Sequence, residues 1–357
     1  MAFFSSSSIP SYLGVDIGST SVKIVELRKE AGQAKLLSYG FSDNKNVLPA
    51  NWQNDPKYIA EVIKKICDEA GITGNTAISA LPTFSVFTSI LNLSSVSKKD
   101  LDSAVHWEAK KVIPLPLEEM ILNWNIIGDS MVQSATEKEK QAIVKNVKVL
   151  LTGAPKTLVK KYVDIFKEAK INLLSLETET FSLVRSLVGN DKSPIMLVEI
   201  GAGTTDVSII NNGIPILNRS IDVGGIKISK EISDFSNVDL ERAEQFKFDL
   251  GASAMDSPDG TMPQIISEAI SPIVNEIKYA LNLFHDKYNL STEKIILSGG
   301  SVLLPGLVEY LSKILNIKVI IGDPWSRISY PVDLAPLLNE IGPRMSVAVG
   351  LAMRELE

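Results

Sequence analysis

The chain is poor in the residues that build metal clusters and disulfides. Its 357 residues include one cysteine, Cys67, and two histidines, His106 and His285. A lone thiol makes no internal bridge, and so few nitrogen and sulfur donors argue against a metal cluster. Cys67 falls in a helical pattern with Ile59, Val62, Ile63, Ile66 and Ala70, and reads as a buried thiol in a reducing compartment. No stretch reaches the ~20 apolar residues of a membrane span. The start, MAFFSSSS, lacks the basic region and long apolar core of a secretory signal. The net charge is −6 with Lys and Arg scattered, which offers no groove for nucleic acid. A cytosolic protein is expected, reaching a membrane only through a partner. What is present, 45% apolar and 22% charged residues, is the profile of a globular protein of two domains or slightly more.

An internal repeat organises the chain. Residues 13–26 (LGVDIGSTSVKIVE) and 197–210 (LVEIGAGTTDVSII) each read as strand, tight turn, strand, with an acid before Ile-Gly and a small hydroxylic turn. Two such hairpins about 180 residues apart predict two related α/β domains.

Between them the pattern predicts a strand at 34–41, a helix at 56–70 and a strand at 76–80. A long strand at 84–93 follows, then a helix at 97–112 capped by Ser97 and stopped by Pro114 and Pro116. Strands at 121–128 and 144–152 flank a polar loop at 129–141, and block 83–153 reads as an inserted α+β subdomain. Helices are expected at 155–169, 178–188, 224–234, 239–249, 264–288 and 345–356, with strands at 195–200 and 295–298 and a polar segment at 252–263.

Three segments suit a phosphorylated ligand. In the first hairpin, Gly18 permits a tight turn and Ser19, Thr20 and Ser21 present hydroxyl and N–H donors to an anion. Lys23 supplies a point charge, and Asp16 an oxygen for a water-bound Mg²⁺. Taken alone, this is equally an ordinary Gly-containing hairpin. The second hairpin repeats the turn with Gly201, Gly203, Thr204 and Thr205, flanked by Glu199 and Asp206, so two turns can clamp a polyphosphate. The third segment, 295–301 (IILSGGS), places Gly299 and Gly300 at a strand end, where a flat ring can approach the backbone.

In this order and spacing the three segments resemble the phosphate 1, phosphate 2 and adenosine motifs of the actin/Hsp70/sugar-kinase ATPase superfamily. The stretch 239–247 (DLERAEQFK) is similar to the superfamily helix with Ala-Glu-x-x-Lys, which implies that Glu244 and Lys247 lie by the ribose and base. Residues 104–119 (AVHWEAKKVIPLPLEE) resemble the helix and Ile-Pro-x-Pro-Leu-Glu turn of the PilM family of type IV pilus assembly proteins. Residues 177–185 and 347–354 are also PilM-like, so the likeness covers nearly the whole chain. The related FtsA adds a C-terminal linker and membrane-binding helix, whereas this sequence stops just after its last expected helix, which favours PilM.

The resemblance implies an α/β, actin-like (ribonuclease H-like) two-domain ATPase fold with a small α+β subdomain inserted in the first domain. The first domain is expected over 1–82, 154–192 and 344–357, the insert over 83–153, and the second domain over 193–343, with a helical subdomain at about 228–290. ATP with Mg²⁺ is expected in the cleft. Asp16, Glu199 and Asp206 would serve the metal and water, Lys23 the phosphates, and Gly299 and Gly300 would lie under the adenine. The implied role is a cytoplasmic scaffold, peripheral at the inner membrane, that binds the N-terminal tail of a PilN-like membrane protein and other pilus assembly proteins. An FtsA-like filament former and a small-molecule kinase are the alternatives. One departure bears on turnover: phosphate 2 usually opens with Asp, and Glu199 sits there instead, so at most a slow ATPase is expected.

Overall fold

The hairpins are the framework of the computed structural model, which describes residues 9–42, 54–97, 99–131, 143–255 and 262–357. The chain divides into two compact units, Leu81–Val163 and the remainder.

In the larger unit, β1 (Ser11–Ile17), β2 (Val22–Glu30) and β3 (Gln33–Phe41) form an antiparallel meander. Helix α1 (Pro56–Glu69) begins at Asp55, whose carboxylate accepts from Lys57 N and Tyr58 N, and buries Ile59, Ala60, Ile63 and Ile66. Strand β4 (Thr76–Leu81) returns parallel to β1. The Glu26 carboxylate is buried but satisfied, accepting from Ser11 Oγ at 2.7 Å and Gly74 N at 2.8 Å, so its desolvation is compensated.

The smaller unit holds β5 (Phe87–Ser97), α2 (Leu101–Val112), β6 (Met120–Met131) and β7 (Ile143–Pro155), with β7 central in a three-stranded antiparallel sheet. Helix α2 buries Leu101, Val105 and Ala109. The expected Ser97 cap is corrected: Ser97 pairs with Ile143 in β5, and the helix starts at Leu101. The strand outlasts its apolar pattern because β7 continues to supply backbone partners. Strand β7 reaches Pro155, and α3 (Lys156–Ala169) begins directly after it. Most of the polar loop at 129–141 and half of the segment 252–263 lie outside the described residues, as do residues 1–8.

The larger unit resumes with β8 (Asn172–Thr178) and α4 (Glu179–Leu183), which continues into a single π-helical turn, Val184–Val188. Next come β9 (Ile195–Ile200), β10 (Thr205–Asn211), β11 (Ile214–Ile221), α5 (Gly225–Ser236), α6 (Leu240–Met255) and α7 (Gln264–Tyr288). The chain closes with β12 (Lys294–Ser298), α8 (Leu307–Leu315), β13 (Lys318–Ile321), β14 (Ile328–Ser329) and α9 (Ala335–Met353).

One sheet has the order β14-β3-β2-β1-β4-β8 and the other β11-β10-β9-β12-β13. Apart from β14, both run third, second, first, fourth, fifth, with the first three strands antiparallel and the fourth parallel to the first. The central strands β1 and β9 are buried nearly throughout, which is why they read as apolar runs rather than alternating patterns. The two sheets share a core of Ile78, Ala80, Leu197, Ile210, Ile296, Val347 and Leu351.

Helix α9 begins ten residues before the expected 345. Pro343 stands inside it, a residue that normally ends a helical pattern. The helix presses onto β1 so closely that a Cβ at Gly14 would lie 1.9 Å from Ala348 O, a separation only glycine permits.

Candidate functional site

The two hairpins turn identically. Gly18 N donates to Ser21 O at 2.9 Å, and Gly201 N donates to Thr204 O at 2.9 Å. The strand register is also the same: Asp16 opposes Lys23 across one hairpin, and Glu199 opposes Asp206 across the other. The turns approach each other, since a Cβ at Gly203 would meet Ser19 Oγ at 3.4 Å. Ser19 is exposed, and Gly18, Thr20, Gly201, Gly203 and Thr204 are half-buried, so the turns keep access to solvent. Thr205 differs. Its side chain is fully buried and its Oγ1 donates to Val223 O at 2.7 Å, which commits the hydroxyl to the fold.

Lys23 Nζ sits 2.8 Å from Asp16 Oδ2. Around this pair the charge is negative. Glu179, Glu199 and Asp206 each offer a carboxylate oxygen, and the three lie within 4.8 Å of one another. Burial, then repulsion from Glu179, Asp206 and Asp16, holds the Glu199 carboxyl well above the usual carboxylate range, with Lys23 opposing. Burial raises Asp206 to about 6, although the Ser220 hydroxyl donates to it and pulls the other way. Glu199 Oε2 is buried without a hydrogen-bond partner. A crowded acidic set with an orphaned oxygen fits a divalent cation, which prefers oxygen donors and relieves this repulsion. Glu179 was not singled out from the sequence. It opens α4 just after β8, inside the PilM-like stretch 177–185, and that stretch was its only signal.

The residues expected by the ribose and base also converge. Lys247 is buried, 2.7 Å from Glu244 Oε2 and 3.1 Å from Ser229 Oγ, and Ser229 Oγ donates to Glu244 Oε1 at 2.6 Å. This cluster joins the N-terminal part of α5 to α6. A Cβ at Gly225 would lie 2.4 Å from Ser301 Oγ, and Ser301 in turn donates to Gly201 O at 3.0 Å. The turn after β12 is thereby tied to the second hairpin. Gly299 adopts φ +94°, in the left-handed region, where any side chain would strike Ile200 O. Gly300 follows it, and a Cβ there would lie 3.5 Å from the Arg344 side chain. Opposed donors, one lysine, an acidic cluster and a glycine-floored turn can together hold a phosphorylated ligand with a flat base.

The sequence pattern of the family described as Type IV pilus assembly protein PilM matches residues 14–356. Among solved structures, the chain is similar to one from the PilM–PilN type IV pilus biogenesis complex, with TM-score 0.80 and 23% identity, covering 98% of this chain and 100% of that one. It is also similar to MreB5 of Spiroplasma citri bound to AMPPNP, with TM-score 0.53 and 13% identity, covering 96% and 95%. Cell division protein FtsA of Neisseria meningitidis serogroup B is 22% identical over 329 residues, 82% of this chain and 77% of that protein. The actin-like α/β fold that the resemblance implies is therefore correct, and the chain belongs to the type IV pilus assembly protein PilM family.

Proposed function

We propose that this chain is a nucleotide-binding scaffold of type IV pilus assembly that takes ATP with Mg²⁺ between its two hairpins. The observation carrying the nucleotide part is the pair of matching turns facing each other beside the Glu179, Glu199 and Asp206 cluster. In this reading the donors of 18–21 and 201–204 and the Lys23 ammonium bind phosphate oxygens, and the three carboxylates with Asp16 receive the hydrated metal. Bound Mg²⁺ neutralises phosphate charge. Glu244 and Lys247 border the sugar and base, and Gly299 and Gly300 floor the base. The two sheets then correspond to two actin-like domains, the first taking in 1–82, 154–192 and 344–357, with 83–153 inserted.

The partner in this reading is the short cytoplasmic tail of a PilN-like membrane protein, which places the scaffold at the inner face of a membrane. Among the described residues no helix is long and apolar enough to cross one. A pull-down with that tail, with and without Mg-ATP, tests the scaffold role. No retention in either condition refutes it.

Turnover is expected to be slow. The Glu199 carboxylate stands one methylene beyond the position of the usual aspartate, and placing an attacking water tolerates little displacement. Purified protein is expected to hydrolyse ATP at less than about one per second. A rate of several per second contradicts this, and Glu199→Asp is the variant expected to accelerate it.

Trp107 bears on the tail. It lies on α2 off the buried stripe and is 65% exposed, so packing within its own unit does not explain it. Trp107→Ala is expected to leave the melting temperature within about 1 °C, as surface changes do. Tail-peptide affinity is expected to fall about tenfold, as loss of an aromatic anchor does. Normal peptide affinity in that variant removes Trp107 from the interface.

A further inference from the structure

Arg344 is a half-buried cation that the site described above does not use. It follows Pro343 in α9, whose carbonyl accepts from Gly299 N at 2.9 Å. Its stem runs beneath the adjoining glycine: a Cβ at Gly300 would lie 3.5 Å from Arg344 Cγ and 3.8 Å from both Cδ and Nε. Beyond the stem, the guanidinium carbon lies 5.0 Å from the Phe41 ring centroid. Phe41 opposes Lys23 in the β2–β3 ladder, and Lys23 opposes Asp16 in β1–β2. Residues directly opposite in an antiparallel pair share a face. Phe41 therefore stands on the same face as the Lys23–Asp16 pair, the face that α9 covers at Gly14.

Arginines with comparable cover elsewhere in the chain are paired. Arg185 reaches both Glu177 oxygens at 2.7 and 3.0 Å, and Arg219 bonds Glu276. Among the described residues no carboxylate pairs with Arg344, and its aromatic neighbour leaves the five N–H donors of the fork unspent. Among the described residues no Arg344 nitrogen is a buried unpartnered atom, so the fork stays open to solvent and can donate to a ligand.

The location narrows that ligand. Arg344 adjoins the Gly299–Gly300 turn rather than either phosphate turn. A heterocyclic base offers ring-nitrogen acceptors to a donor-only fork and a π face to its charge. We propose that Arg344 is a recognition residue for the base end of the nucleotide, held ready by stacking on Phe41. This rests on the reading that the two hairpins take a nucleotide.

The test compares wild type with Arg344→Met, which keeps the stem and removes the fork, Arg344→Gln as a second neutral form, and Arg344→Lys, which keeps charge without the fork. Affinities for ATP, ADP and AMP are measured by calorimetry or competition, with the melting temperature of each nucleotide-free protein. A base contact predicts an equal loss of about tenfold for all three nucleotides in Arg344→Met and Arg344→Gln. It also predicts partial recovery in Arg344→Lys and unchanged nucleotide-free melting temperatures. Wild-type affinity in Arg344→Met overturns the proposal. A loss large for ATP and small for AMP assigns the residue to phosphate and also overturns it, and so does a matched fall in melting temperature in all three variants, which makes Arg344 a packing residue. Wild-type protein that binds none of the three nucleotides defeats the parent reading as well.

Discussion

Lys23→Ala is expected to weaken Mg-ATP binding by about a hundredfold, the ~2.7 kcal/mol that separates two decades of affinity. The side chain carries the only cation among the candidate phosphate contacts of the two hairpins. It is only 16% exposed, so solvent screens its charge little. Its removal acts twice. The phosphate loses an ammonium, and Asp16, whose side chain is 6% exposed, is left facing Glu199 with no compensating charge. The incoming polyphosphate then meets a field of one sign. Thermal shift reads this directly. Mg-ATP at about a hundred times the wild-type Kd stabilises wild type by ~2.7 kcal/mol, and at the same concentration the variant gains only ~0.4 kcal/mol. Equal shifts in the two proteins would remove Lys23, and with it the first hairpin, from the phosphate site.

Glu199→Gln is expected to raise the melting temperature of the nucleotide-free, metal-free protein by about 2–5 °C while weakening Mg²⁺-dependent ATP binding. Native Glu199 is destabilising because its Oε2 is buried without a partner and three other carboxylates repel it. An amide keeps the shape and removes the charge. The same strain gives stability a pH dependence of defined sign. Asp206 titrates at about 6 when folded against 3.8 for the unperturbed group, so the folded chain holds that proton more tightly than the unfolded chain. Its penalty is absent below about pH 4, grows as pH rises from about 4 to about 6, and is constant above. It amounts to roughly 2–3 kcal/mol at neutral pH. Subtracting the melting curve of Asp206→Asn from wild type across pH 4–7 isolates this contribution. Stability that rises with pH in that difference, or a Glu199→Gln protein less stable than wild type, would show that the acids are compensated in the free protein.

The hairpins were legible because their chemistry is local. A tight turn between apolar strands needs glycine and small hydroxylic residues within a few positions, so residues 13–26 and 197–210 announced both the turns and their repeat. Helix α7 was legible for the same reason, its apolar stripe repeating over seven turns from Gln264 to Tyr288. The misses are places where distant contacts overrule local pattern. Pro343 argues for a break, yet α9 runs through it while being held against β1 and the Gly299 turn. Ser97 looks like a cap, yet β7 claims its backbone. Glu179 has no periodicity or turn to mark it. It becomes a site residue only because α4 follows β8 and delivers it to the end of β9, a meeting that separation in sequence conceals.

The matching strand orders of the two sheets have a consequence for orientation. A binding site between equivalent halves would be nearly two-fold symmetric and would accept an elongated ligand in either of two directions. The equivalence fails at one place that matters. The register position occupied by Lys23 in one half is occupied by Asp206 in the other, while the opposing positions, Asp16 and Glu199, are both acidic. One wall thus presents a neutralised pair and the other an uncompensated anionic one. In the proposed reading a terminal phosphate would be drawn to the first, and its counter-cation to the second. This single inversion of charge polarises an otherwise degenerate slot, so that a molecule entering it has one preferred heading.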